Sequence, residues 1–277
     1  MKIINKKVCN FYKDIVALMR KPVMSILPGH LSFFLLLSLV PILLLIGVVA
    51  NTLSFSFDFI IDFLKMSLPA GTSKLILPLF TGNALNINIT FLLLSAICLS
   101  SKGNMAVINA ACHIYNVNKR PLRDIVKSIV ITLLLLCLFI FIILILVIGS
   151  KLLELIKSIE EINFISQSLI DFYNFSKWPL SILVVFFSIK FIYILAPNKK
   201  ISTKSVNKGT IFSTISIVLI TYLYSYYINR FSTYDEYYGG ASNLIVFMLW
   251  IYLISYIFVL GMSINSIEEK SENIKNS

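Results

Sequence analysis

The residues of this chain whose types could do chemistry fall in two short stretches. Ser100, Ser101, Lys102, Gly103 and Asn104 set an ammonium among two hydroxyls and an amide, inside an otherwise apolar run. Such a group could hold an anion, a phosphate-bearing one included, if the helix broke here and lined a polar cavity. If instead a membrane span ended near Lys102, the lysine would mark the interface. The second stretch, RFSTYDEYYGGAS from Arg230 to Ser242, gathers an arginine, two adjacent acids, tyrosines and a Gly-Gly pair, with no Leu, Ile or Val. Asp235 or Glu236 can pair with Arg230 across a turn, with Tyr234, Tyr238 and Gly239 alongside. That describes either an external gate or a stiff hairpin between two helices.

Catalytic constellations are harder to find. Metal-dependent phosphodiester cleavage needs several carboxylates or histidines converging on a cation. The chain has two histidines, His30 and His113, and the acids expected on the cytoplasmic side, Asp14, Asp124 and the tail cluster Glu268, Glu269 and Glu272, share no metal-ligand motif. No G-x-S-x-G elbow is present. The reading is therefore of no catalytic residues, no metal, no cofactor and no enzyme. Cys9, Cys98, Cys112 and Cys137 show no zinc or disulfide spacing.

The elements that must position these residues are membrane helices. Charged residues make up 13% of the 277 and hydrophobic ones 58%, with mean hydropathy +0.88. A soluble domain of this length carries about a quarter charged residues, so the excess demands lipid as solvent. Span-sized apolar runs are expected at about 31–53, 87–110, 125–148, 179–196, 210–228 and 244–266. Pro41 lies deep enough in the first to kink it and free a carbonyl, as at many substrate sites.

Lys and Arg crowd the N-terminal segment, the loop with Lys119, Arg120, Arg123 and Lys127, and the loop with Lys199, Lys200, Lys204 and Lys208. The alternate loops are poor in them, so both termini are expected in the cytoplasm. The net charge of +11 is then topological, with attraction to anionic headgroups as a second use; nucleic acid is not needed to explain it. An apolar stripe over Val8–Arg20, ended by Pro22, reads as a helix lying on the cytoplasmic surface. Similar stripes at Asp58–Met66 and Phe164–Phe175 are expected outside. Lys190 is expected to snorkel to the cytoplasmic face, and Tyr222, Tyr224, Tyr226 and Tyr227 to form an aromatic belt.

Four passages carry a resemblance. GHLSFFLLLSLVPILLL (Gly29 to Leu45), SSKGNMAVINAACHIYNV (Ser100 to Val117), ILAPNKKI (Ile194 to Ile201) and YINRFSTYDEYYGGASNLIVFMLWIYLISYIFVLGMSIN (Tyr227 to Asn265) occur in order and at matching spacing. Together they resemble the YihY/BrkB family of bacterial inner-membrane proteins. The resemblance implies six spans, a helical bundle and a bacterial plasma-membrane location. One branch of that family is named for a virulence factor, and the family long carried a ribonuclease BN label now regarded as mistaken; transport is the usual guess. The pattern has Asn where Asp235 stands, Ser at Gly240 and Glu at Ser263.

The expectation is thus an all-α polytopic membrane protein: a cytoplasmic segment over 1–28, a six-helix membrane domain over 29–266 and a cytoplasmic tail over 267–277. Its expected role is transport or translocation of a small or amphiphilic, anionic substrate, with Ser101, Lys102, Asn104 and Pro41 on the pathway. The alternative is a non-transporting structural or envelope-integrity protein. Membrane lipids are the expected partners, and a homo-oligomer is compatible with the pattern.

Overall fold

The computed structural model describes residues 13, 16–17, 19–20, 22–52, 89–138, 163–230 and 240–276. Its regular structure there is helical, with no strand among the described residues. The helices are α1 (Pro22–Thr52), α2 (Ile89–Ile114), α3 (residues 121–138), α4 (Asn163–Leu195), α5 (Asn207–Arg230) and α6 (Gly240–Asn276). Among the described residues two stretches, Asn207–Ile228 and Ile245–Lys270, are long and apolar enough to cross a membrane.

Local chemistry explains most of the ends. Pro22 opens α1, where its missing N–H costs nothing and its φ is already helical. α1 therefore starts nine residues before the apolar run at Leu31, and its backbone stays helical through Pro28 and Pro41. α2 closes with Asn116 at φ 51°, as Val117 N–H donates to Cys112 O at 2.9 Å and Asn116 N–H to His113 O at 3.3 Å. That pair of bonds satisfies the last carbonyls, and asparagine tolerates the left-handed position. Pro121 opens α3, and Asp124 Oδ2 reaches back to the Arg120 N–H at 2.8 Å. α4 ends at Leu195 because Ala196 precedes a proline and is pushed out of the helical region.

Three expectations change. The SSKGN stretch does not break its helix: α2 runs unbroken from Ile89 to Ile114. The external stripe at Phe164–Phe175 is not a separate piece but the first half of α4, continuous through Pro179. α6 runs on to Asn276, past the expected span end at 266. The stripe at Asp58–Met66 and most of Val8–Arg20 lie outside the described residues.

α6 is the organising helix, packed against α1, α2 and α5; α1 lies along α2, and α4 along α5. Small residues allow the closest approaches. A Cβ on Gly103 would stand 2.7 Å from Ser38 Oγ of α1. A Cβ on Gly209 would overlap the Gly261 carbonyl, and one on Gly261 would overlap Ser213 Oγ, so α5 and α6 cross backbone to backbone. Tyr193 of α4, fully buried, closes this crossing: its hydroxyl lies 2.7 Å from Ser213 Oγ and donates to Phe258 O at 2.7 Å. Tyr224 turns inward and stacks on Trp250, ring centroids 5.1 Å apart, whereas Tyr222, Tyr226 and Tyr227 are exposed as a belt requires.

Candidate functional site

On α3 the buried face carries Asp124, Ser128 and Thr132, one helical turn apart. An apolar face would pack more simply, so each polar group needs a partner. Ser128 Oγ donates to Ile125 O at 2.7 Å and Thr132 Oγ1 to Ser128 O at 2.8 Å. Thr132 Oγ1 then accepts from Asn104 Nδ2 of α2 at 2.8 Å. The result is a polar seam between α2 and α3.

Its mouth is a clamp at the basic end of the bundle. Asn198, just past α4, donates from Nδ2 to Asp124 Oδ1 at 2.8 Å. Its Oδ1 accepts from Lys127 Nζ at 3.1 Å. Lys127 also donates to Ala196 O at 3.0 Å and Pro197 O at 2.8 Å, so its charge caps the C-terminus of α4. Carboxylate and ammonium are thus held by one amide that bridges them. Cys112 Sγ lies 3.4 Å from the same Nδ2. Burial, then the Asp124 carboxylate, push its thiol above the ordinary value.

Beside the clamp, Lys199 pairs with Glu269 of α6 at 2.5 Å and lies 4.8 Å over the Tyr115 ring. Burial and then Glu269 push the Tyr115 hydroxyl well above its ordinary range. Lys208 pairs with Glu268 at 2.6 Å. Asn265 Oδ1 accepts from the Gly209 N–H at 2.7 Å and so caps α5. The arrangement positions charge and ties helix ends. Among the described residues no three of His, Cys, Asp or Glu come together as metal ligands.

The residues singled out from sequence are placed as follows. Ser101 is buried and donates to Cys98 O at 2.8 Å, and Asn104 joins the seam. Lys102 points the other way, exposed on the outer face of α2. Pro41 sits in a helical backbone. Arg230 is exposed at the last residue of α5, whereas Tyr234, Asp235, Tyr238 and Gly239 lie outside the described residues. Ser263, where the resembled pattern has Glu, is buried and donates to Val259 O at 2.9 Å. Lys190 does not reach for the basic end: its Nζ lies 5.7 Å from the ring of Phe186, one turn back.

Sequence reasoning missed the clamp. Asp124 and Lys127 looked like ordinary loop charges, and ILAPNKKI drew attention as a pattern without a partner for Asn198. The signal available was Pro121 opening a helix, which sets Asp124 and Lys127 in its first two turns.

A family model described as virulence factor BrkB matches residues 20–277. A protein of Bacillus subtilis (strain 168) named as ribonuclease-like, YfkH, is 28% identical over 251 residues, 89% of this chain and 90% of that protein. The UPF0761 membrane protein IL2447 of Idiomarina loihiensis is 27% identical over 124 residues, 44% of each chain. NT05HA_1801 of Aggregatibacter aphrophilus, a UPF0761 membrane protein too, is 30% identical over 96 residues, 34% of each chain. The match thus spans less than half the length of these two relatives. No solved structure matches the chain.

Proposed function

The chain belongs to the BrkB family of membrane proteins, and from that premise we propose that it moves a small or amphiphilic anionic molecule across a bacterial plasma membrane. The observation that carries this is the polar seam between α2 and α3, buried at Asp124, Ser128 and Thr132 and joined by the half-buried Asn104, headed by the clamp at a lysine-rich end. Polar groups inside a membrane bundle are costly unless partnered, and a continuous row of them leading from a charged end is what a polar path needs.

The orientation we adopt is six spans with both termini in the cytoplasm. It is supported by where the helix ends meet: Cys112 near Asn198, Ser266 on Ile114, Gly209 on Asn265. These contacts gather Lys119, Arg120, Arg123, Lys199, Lys200, Lys204 and Lys208 at one end, where anionic headgroups are the natural partners. Labelling of an engineered cysteine at Ser232 from the cytoplasm would overturn it.

The reading is of a protein that is not an enzyme. Ribonuclease-like is part of the Bacillus relative's name, but Asp124, Glu269 and Glu268 at this chain's basic end are taken up by Asn198 and the Arg120 N–H, by Lys199 and by Lys208. Purified protein with RNA and magnesium is expected to show no turnover.

The transport proposal is tested by flux into vesicles. Replacing Asn104 with Leu and Thr132 with Val together removes both partners of one bond, a change that need cost little stability. Flux is expected to fall; unchanged flux would discard the seam as the route. A second reading, a non-transporting envelope protein, is favoured by the tight Gly209–Gly261 crossing, which suits a rigid bundle. It predicts no flux and unaltered folding in the same variants.

A further inference from the structure

Lys102 is exposed on an unbroken helix whose other sides are occupied. Gly103 faces Ser38 of α1, Asn104 faces Thr132 of α3, and Cys112 faces Asn198. Ser266 Oγ on Ile114 O at 3.4 Å sets the register of α2 against α6. Twelve residues back from each lie Lys102 and Ile254, about 18 Å from the basic end by helical rise. Ile254 falls in the middle of the apolar stretch Ile245–Lys270. The lysine thus sits near mid-depth on the outer face. Its Cβ points away from the basic end, so snorkelling there works against the backbone.

Asn109 and His113 follow Lys102 at two and three turns, on the same stripe. His113 is exposed and Asn109 half-buried. Leu94 and Leu99 of α2, and Phe33 and Leu37 of α1, are exposed apolar residues. We infer that this stripe is a lateral track for the phosphate headgroup of a membrane phospholipid, the acyl chains staying in the bilayer beside it. Lys102 compensates the phosphate charge at the point where its desolvation costs most, and Asn109 and His113 carry it to the basic end. The inference rests on the transport reading and names its substrate class; for a lipid the headgroup's path is this outer face of α2 rather than the seam, which faces α3.

The full chain is reconstituted into phosphatidylethanolamine/phosphatidylglycerol vesicles containing fluorescent phosphatidylglycerol, and inner-leaflet probe reaching an outer-leaflet quencher is timed. Probe is expected to cross; Lys102→Ala should slow it at least about tenfold, one lost charge contact in rate terms, and Lys102→Arg should retain it. Asn109→Leu, an apolar change on the same stripe, should also slow it, which guards against a misfolded Lys102 variant. Crossing unaffected by both changes would overturn the track. Movement of soluble phosphate without lipid movement would sink the lipid assignment and leave transport standing; movement of neither would sink both. Efficient oxidative dimerisation of a variant retaining only Cys98, exposed one turn from Lys102, would assign the stripe to a second copy instead.

Discussion

Asn198 Nδ2 donates to Asp124 Oδ1 across 2.8 Å, joining residues 74 apart in the chain. The bond links the exit of α4 to the first turn of α3, and Lys127 completes the link from the other side of the same amide. Asp124 is 1% exposed, so neither water nor lipid headgroups can replace the partner.

Asp124→Ala should therefore destabilise the fold by about 1–3 kcal/mol, because it takes their acceptor from the half-buried Asn198 amide and the Arg120 N–H. Asn198→Asp should cost as much, by setting two carboxylates together, whereas Asp124→Asn should cost less. Unfolding midpoints in detergent measure all three; an Asp124→Ala midpoint equal to wild type would refute the clamp.

The glycine crossing gives a sharper contrast. Alanine at Gly261 would bring a methyl onto Ser213 Oγ, 2.6 Å from Tyr193 Oη and 2.8 Å from Gly209 O. Gly261→Ala should cost about 3 kcal/mol or more and separate α5 from α6. Gly29 has nothing within 4 Å of its missing Cβ, so Gly29→Ala should be neutral or stabilising by up to about 1 kcal/mol. Folded yield and thermal midpoints of the pair provide the comparison.

The two ion pairs at the basic end should behave differently. Glu269 is 7% exposed, and Lys199 both pairs with it and covers the Tyr115 ring. Lys199→Ala should cost about 2–3 kcal/mol, most of it from the carboxylate left buried. The side chain of Lys208 is 61% exposed, so Lys208→Ala should cost under about 1 kcal/mol and less still in high salt.

Alkaline pH should weaken the fold. Cys112 and Tyr115 are held neutral by burial, above ordinary values of 9.0 and 10.0. The unfolded chain releases these protons first, so their contribution is full below about pH 8 and is lost as pH rises through the ordinary thiol and phenol values. Thermal midpoints from about pH 8 to 11 should fall in wild type. In Tyr115→Phe the fall above pH 10 should be shallower.

Much of the fold was legible because it rests on local properties. α5 (Asn207–Arg230) and the start of α6 at Gly240 lie within four residues of the apolar runs at 210–228 and 244–266. The errors have one physical source. Ser100–Asn104 read as either the end of a span or a break in its helix, because hydroxyls, glycine and lysine suit an interface or a cavity. In the bundle Ser100 and Ser101 bond back to Ile97 O and Cys98 O, and Gly103 is filled by Ser38. The helix can then continue. α4 likewise extends N-terminally beyond its apolar run, into a stripe that looked separate.

By itself the sequence determined that this is an all-α membrane protein with one strongly basic end. Apolar run length and the placement of lysines are properties of the chain alone. Tertiary structure decided which polar residues meet. Asp124 finds Asn198, Asn104 finds Thr132, and Lys102, their neighbour in sequence, faces outward. A helix turns 100° per residue, so the rotation and register of its packing sort adjacent side chains to opposite sides. Those were set by close contacts at Gly103, Gly209 and Gly261, which no single stretch of sequence specifies.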